Sequence, residues 1–133
     1  MKIAIVVSRF NEEITSKMKS IAENRIKELK CQVVKAVEVP GAFEIPLAVK
    51  RLLENKNVDA VVTLGAIIKG GTDHDKAIAH SVAKKLLNLS CKYNKPVSLG
   101  VIGPNATWEQ AEKRMEEYAV RAVDSVVEVL KNS

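Results

Sequence analysis

The segment Lys69-Gly70-Gly71-Thr72-Asp73-His74-Asp75 gathers an ammonium group, paired glycines, a hydroxyl and an imidazole. It lies between an apolar run and a helical pattern. Paired glycines let backbone N–H groups turn toward an anion at the positive end of a helix, and Lys69 with the Thr72 hydroxyl adds a charge and a donor. The chemistry this offers is phosphate binding; the plain structural alternative is a tight turn capped by Thr72 or Asp73. The GxxxxGK[ST] spacing of a P-loop and the G-x-G-x-x-G dinucleotide fingerprint are both absent. His74 could exchange protons near neutral pH beside a held phosphate, or simply cap the helix or face solvent. His80 follows six residues later, roughly 120° around a helix, so the two histidines form no same-face metal pair. No metal is expected, and His80 reads as a structural or interface residue.

Two further segments carry unusual residues. Ser8-Arg9-Phe10-Asn11 sets an aromatic ring just past an apolar run, where it can stack on a flat heterocycle or pack ordinarily. Gly41-Ala42-Phe43-Glu44 offers a close-approach backbone, a second ring and a carboxylate. Together they suit a polar ring bearing a hydroxylated chain, although Glu44 could equally be a first-turn acid complementing a helix dipole. Arg114, about two turns into the last helical pattern, reads as an anion partner or a solvated charge.

These residues must be positioned by the elements around them. Ile3 to Val7 is a short β-branched run, and Asn11 followed by Glu12 and Glu13 has the form of a helix cap with acidic residues on the first turn. Ile14, Met18, Ile21, Ala22, Ile26 and Leu29 then keep helical period. Val33, Val37 and Val39 form a second strand ended by Pro40-Gly41, and Leu47, Ala48, Leu52 and Leu53 a second helix with Pro46 in its first turn. Ala60 to Ile68 is apolar nearly throughout, as a strand buried on both faces requires, and is expected at the sheet's centre. Ile78, Val82, Leu86 and Leu89 share a helix face. Pro96 to Ile102 reads as the fourth strand, and Thr107 with Gln110 has capping-box form before a long helix carrying Trp108, Ala111, Met115, Ala119, Ala122, Val126 and Leu130. Strict βαβαβαβα order predicts an α/β fold: a three-layer α/β/α sandwich of flavodoxin-like kind on a four-stranded parallel sheet, one domain over 1–133. Ligands of such sheets bind beyond the carboxyl ends of the strands, which directs attention to loops 8–11, 40–44, 69–75 and 102–107.

Composition excludes several classes. With 133 residues, 47% of them hydrophobic and 28% charged, the chain can bury about two thirds of its unfolded surface without a disulfide or metal staple. Cys31 and Cys91 have no metal-ligand or redox spacing. No apolar run approaches the roughly 20 residues of a membrane span, and no leader pattern follows Met1, so a cytoplasmic protein without membrane contact is expected. The net charge of +5 suits anionic partners in general, but the basic residues are interspersed with glutamates and aromatic rings are few, so no nucleic-acid partner is expected.

SRFNEEIT (8–15), VPGAFEIPLAV (39–49), GAIIKGGTDHD (65–75), PVSLGV (96–101) and TWEQAEKR (107–114) together resemble, in order and spacing along the whole chain, the lumazine synthases of riboflavin biosynthesis, in their short archaeal form. The resemblance implies a transferase that condenses 5-amino-6-(D-ribitylamino)uracil with 3,4-dihydroxy-2-butanone 4-phosphate into 6,7-dimethyl-8-ribityllumazine, phosphate and water, without cofactor or metal. It further implies that Phe10 stacks on the pyrimidine, that Ala42, Phe43 and Glu44 hold the ribityl chain, and that Ile67 and Ile68 hold the ring edge. Gly71 and Thr72 would bind phosphate with Arg114 as cationic partner, and His74 would transfer protons; Arg121 is a weaker match to a basic residue of the last helix. In that family the site lies between subunits of a pentamer and the fourth strand reaches the neighbour's pocket, where Leu99 replaces the aromatic ring of many members. The segment 102–106 departs from the threonine-rich loop of many relatives.

Pentamers of this kind stay single, pair, or build shells of sixty subunits, and the shell is the form expected here. Rival readings are an archaeal-type riboflavin synthase, which has no use for a phosphate loop; a non-catalytic flavin-binding module; and a purely structural shell subunit.

Overall fold

The computed structural model describes residues 1–71 and 73–132. Its elements are β1 (Lys2–Ser8), α1 (Glu12–Glu28), β2 (Gln32–Val39), a single 3₁₀ turn (Ala42–Glu44), α2 (Ile45–Leu53), β3 (Ala60–Ile68), α3 (His74–Tyr93), β4 (Val97–Ala106) and α4 (Trp108–Lys131). The strands form one four-stranded sheet in the order β2-β1-β3-β4, parallel throughout. The expected α/β sandwich is therefore observed, with β1 and β3 as its two inner strands.

The run of apolar residues in those inner strands is explained by burial on both sides. Ile3, Ile5, Val7, Val62 and Leu64 pack with Ile14, Met18, Ala22 and Ile26 of α1 and with Ala119, Val123 and Val126 of α4. Ala4, Val6 and Val61 pack on the opposite face with Val49 and Leu53 of α2 and Val82, Leu86 and Leu89 of α3. Each helix thus buries the one stripe its period supplies, and the sheet lies between two helical layers. Truncating one of the fully buried large side chains, such as Ile5 or Met18, would cost about 2–5 kcal/mol. Across the α1–α4 seam, Arg25 donates from Nε to Asp124 Oδ1 at 2.7 Å and from Nη2 to Oδ2 at 3.2 Å. The hydrogen bonds to Asp124, then to Glu28, hold the Arg25 proton more firmly than usual.

Close approach explains Gly100. A Cβ there would collide with the Thr63 carbonyl oxygen and stand 3.0 Å from both Ala122 Cβ and Leu64 Cδ2, so the bare glycine lets α4 settle onto β4. α4 starts as its sequence predicts: Gln110 N–H donates to Thr107 Oγ1 at 3.2 Å and Thr107 N–H to Gln110 Oε1 at 2.9 Å, a reciprocal cap. Pro46 occupies the first turn of α2, where its missing N–H leaves no bond unmade.

Two expectations are corrected. Asn11 stands at the N-terminus of α1 but makes no side-chain cap; it adopts a left-handed conformation, φ 64° and ψ 49°, and its Nδ2 donates 2.8 Å to the carbonyl of Ala66. The fourth strand does not end at Ile102. It runs to Ala106, pairing Ala106 with Ile68 after an irregularity, and Lys69 N–H donates to Ala106 O at 2.7 Å. Gly103-Pro104-Asn105 resembles turn chemistry, yet the segment stays on the sheet edge as a distorted strand, with positive φ at Gly103 and Asn105 and a cis Gly103–Pro104 bond. Among the described residues, no helix is long and apolar enough to cross a membrane.

Candidate active site

Strand order turns around between β1 and β3: the chain leaves β1 for β2 on one side and returns to build β3 and β4 on the other. Loops at such a point diverge and leave a crevice beyond the strand ends. Here the crevice is a cleft of about 370 Å³, lined by Phe10, Gly41, Ala42, Phe43, Ala66, Ile67, Ile68, Gly70, His74, Asp75 and Ile78. This size lies within the range of small-molecule sites. Loops following β1, β2 and β3 each contribute, and the first turns of α3 supply the remaining wall.

The walls are mostly apolar and two are aromatic. Phe10 is 72% exposed and Phe43 70%, far more than aromatic rings usually are in a folded domain, and both face the same opening. Local bonds explain why these rings stand out from the surface. Phe10 N–H donates to Pro40 O at 3.0 Å and Arg9 N–H to Val39 O at 2.8 Å, tying the β1 loop to the end of β2. The Asn11 bond to Ala66 ties the same loop to β3. Val7–Leu64 is the last paired step of β1 with β3, so the Asn11 amide continues the pairing where the strand itself has stopped. Phe43 rides on the 3₁₀ turn, closed by Glu44 N–H to Gly41 O at 3.2 Å and by Gly41 N–H to Glu44 Oε1 at 2.9 Å.

Next to the cleft is a smaller polar pocket of about 220 Å³, lined by Lys69, Gly70, Gly71, Asp73, Asp75, Lys76 and Asn105. It sits at the N-terminus of α3, whose dipole favours an anion. Lys69 and Lys76 add positive charge; the Lys76 ammonium lies 3.9 Å from the Asp73 carboxylate. Gly70 and Asp75 line both cavities, so an apolar cleft and a cationic pocket share a wall. A planar ring in one and a phosphoryl group in the other would meet near His74 and Asp75.

The residues singled out from sequence divide into three groups. Phe10, Ala42, Phe43, Ile67, Ile68 and His74 come together around the cleft, and Gly71 joins the adjoining pocket. Thr72 lies outside the described residues. Glu44 does not line the cleft: its carboxylate is bonded to the Gly41 N–H, and it borders a separate groove with Glu38, Arg51 and Asn55 between β2 and α2. Leu99 and Arg114 are not in the cleft either. Leu99 lies near the start of the edge strand β4, opposite Thr63, and is 49% exposed. Arg114 is exposed on α4, across the sheet from α3. Arg121 is exposed too and pairs with Glu117 one turn away.

Sequence reasoning passed over Asp75, Ile78 and Asn11 as site residues. Spacing does carry a signal for Ile78, because His74 and Ile78 stand four apart and share a helix face. No cluster of three or more metal-ligating side chains occurs among the described residues.

Comparison with known proteins agrees with this geometry. The family profile for 6,7-dimethyl-8-ribityllumazine synthase matches residues 1–133. The protein of that name from Metallosphaera sedula is 54% identical over 129 residues, covering 97% of this chain and 85% of its own. The Methanopyrus kandleri protein of the same name is 49% identical over 131 residues, covering 98% and 92%, and that of Saccharolobus solfataricus is 47% identical over 133 residues, covering 100% and 86%. A match along the entire chain, together with a cleft and an anion pocket at the strand ends, makes the chain a member of the 6,7-dimethyl-8-ribityllumazine synthase family.

Proposed function

We propose that the chain condenses 5-amino-6-(D-ribitylamino)uracil with 3,4-dihydroxy-2-butanone 4-phosphate to 6,7-dimethyl-8-ribityllumazine in riboflavin biosynthesis, releasing phosphate and water. The observation that carries this reading is the wall of Gly70 and Asp75 shared by the aromatic cleft and the cationic pocket, with His74 next to it on the cleft side. One reactant is a flat pyrimidine with a polyol chain and the other a short phosphate ester. The two cavities match those two chemistries.

Phe10 stacks on the pyrimidine and Ile67 and Ile68 hold its edge. Ala42 and Phe43 flank the ribityl chain; Glu44, tied to Gly41, reaches that chain's outer hydroxyls. Gly71, Thr72, Lys69 and the α3 N-terminus hold the phosphate. The uracil's free amine adds to the ketone and loses water, giving an imine. A proton leaves the adjacent carbon, and the phosphate departs with the electron pair of its C–O bond. The resulting enol becomes a ketone, which the second amine attacks to close the ring with loss of water. His74 accepts and returns protons in these steps. Holding two intrinsically reactive partners together supplies much of the acceleration.

Leu99 and Arg114 act in a neighbouring subunit's site. Their exposure outside their own cleft supports this, and Arg114 then completes the phosphate's charge balance. The working unit is a pentamer, assembled into a sixty-subunit shell, and a sedimentation mass of a single pentamer would refute the shell. The enzyme works in the cytoplasm, where the free thiols of Cys31 and Cys91 are at home.

Reaction stoichiometry tests the reading. Purified protein given both substrates should form lumazine and inorganic phosphate in equal amounts, and neither when one substrate is omitted. Riboflavin formed from supplied lumazine, without phosphate release, would contradict it.

A further inference from the structure

Asp75 has no place in the roles above, yet it borders both cavities. Its Oδ2 is buried and has no hydrogen-bond partner. A carboxylate oxygen so placed strongly favours a donor, because leaving it unpaired away from water is costly. The surrounding cleft supplies few: Phe10, Phe43, Ala42, Ile67, Ile68 and Ile78 have no polar side-chain atoms. Lys76 is drawn toward Asp73 instead. The His74 imidazole in the cleft and the Lys69 and Asn105 side chains in the pocket also carry donors, yet none bonds this oxygen, so a group entering the cleft can supply the bond. At the wall between a ring site and a phosphate site, the donor in reach is the group joining the two reactants.

We propose that Asp75 is a catalytic residue that accepts a hydrogen bond from the condensing amine of the pyrimidine substrate. The proposal rests on the condensation reading given above. In the free amine the N–H is a modest donor. As the nitrogen lone pair forms the new C–N bond, the carbonyl π pair moves to oxygen, leaving N–H⁺ and O⁻. The Asp75 side chain faces the growing positive charge, so its hydrogen bond strengthens in the transition state, which is where catalysis gains. A phosphate is disfavoured as its partner, because like charges repel; Lys69 and Lys76 of the same pocket offer that ligand the opposite charge.

The opposing charges make the test specific. Asp75→Asn keeps the shape and loses the charge; Asp75→Ala removes the acceptor as well. In both, kcat should fall about 10- to 100-fold, the range of a hydrogen bond to a charged group. Inorganic phosphate, titrated as a competitor of the butanone phosphate, should bind Asp75→Asn about 3-fold tighter or more, because a like charge is removed well within a Debye length. A merely structural role for Asp75 in the loop would weaken phosphate binding and turnover together, and that outcome overturns the proposal. So does a wild-type kcat in both variants. Thermal melting of the two variants alongside the wild type separates loss of fold from loss of chemistry, and Asp75→Ala stands in if the amide disturbs the turn. The failures are distinguishable: a wild-type protein that does not accelerate lumazine formation removes the condensation reading itself, whereas an active wild type with unaffected variants removes only Asp75.

Discussion

Asn11 offers the sharpest test of how the fold sets the site, because two separable effects meet in one residue. Its side chain donates 2.8 Å to the Ala66 carbonyl, and its backbone sits at φ 64°. Replacing it with glycine removes the hydrogen bond but keeps the left-handed conformation comfortable. That should cost about 1 kcal/mol, the net worth of a typical intramolecular bond. Replacing it with alanine removes the same bond but retains a Cβ, whose steric cost in that region, about 1–2 kcal/mol, glycine escapes. Asn11→Ala should therefore be about 1–2 kcal/mol less stable than Asn11→Gly. Urea unfolding at one fixed protein concentration measures both. Because the same bond ties the Phe10 loop to β3, both variants should also raise KM for the ribitylaminouracil while leaving that for the butanone phosphate near the wild-type value. Equal stability of the alanine and glycine variants would refute the backbone argument. An unchanged KM would refute the claim that this bond positions the ring.

Three other outcomes follow from the same geometry. Phe10→Ala should raise KM for the pyrimidine substrate about 3- to 10-fold, the value of an aromatic stacking pair, with a smaller change in kcat; steady-state kinetics with the second substrate saturating measures it. Arg114→Ala and His74→Ala should each be slow alone, but subunits of the two co-assembled from denaturant should recover part of the wild-type rate, since some sites then draw both intact residues from different chains; no recovery would place Arg114 within its own chain's site. Gly100→Ala should cost about 1–3 kcal/mol through overpacking, since its Cβ would collide with the Thr63 carbonyl. Gly70→Ala, whose Cβ would meet nothing within 4 Å, should lie within about 0.5 kcal/mol of wild type in unfolding.

Much of the fold was legible because burial writes periodicity into sequence. The unbroken apolar run of β3 signalled an inner strand, and the four-residue spacing from Ile14 to Ile26 signalled the buried stripe of α1. The Thr107–Gln110 cap was readable because both partners are local. Asn11 was misread for the opposite reason: its partner is 55 residues away, and no local pattern reports a bond to Ala66. The end of β4 was missed because Gly103-Pro104-Asn105 has turn chemistry, while the pairing that keeps it on the sheet comes from Ile68. The site shows the same division. Residues at strand ends, such as Phe10, Phe43 and His74, were found from loop position and motif. Asp75 was not, since its significance lies in a buried oxygen without a partner, a property of three-dimensional packing. Leu99 and Arg114 mark the other limit, because one chain by itself does not bring them to the cleft.

The most direct measurement of the central claim is the rate of lumazine formation, followed by fluorescence with both substrates present, for the wild type and for His74→Ala against the uncatalysed background. The account predicts a wild-type rate well above background and a His74→Ala rate about 10²-fold lower but not abolished, the low end for general acid–base catalysis between reactive partners. A wild-type rate equal to background, with folded protein and authentic substrates, would contradict the assignment of this cleft to the condensation; an unchanged rate in His74→Ala would remove the imidazole from its chemistry.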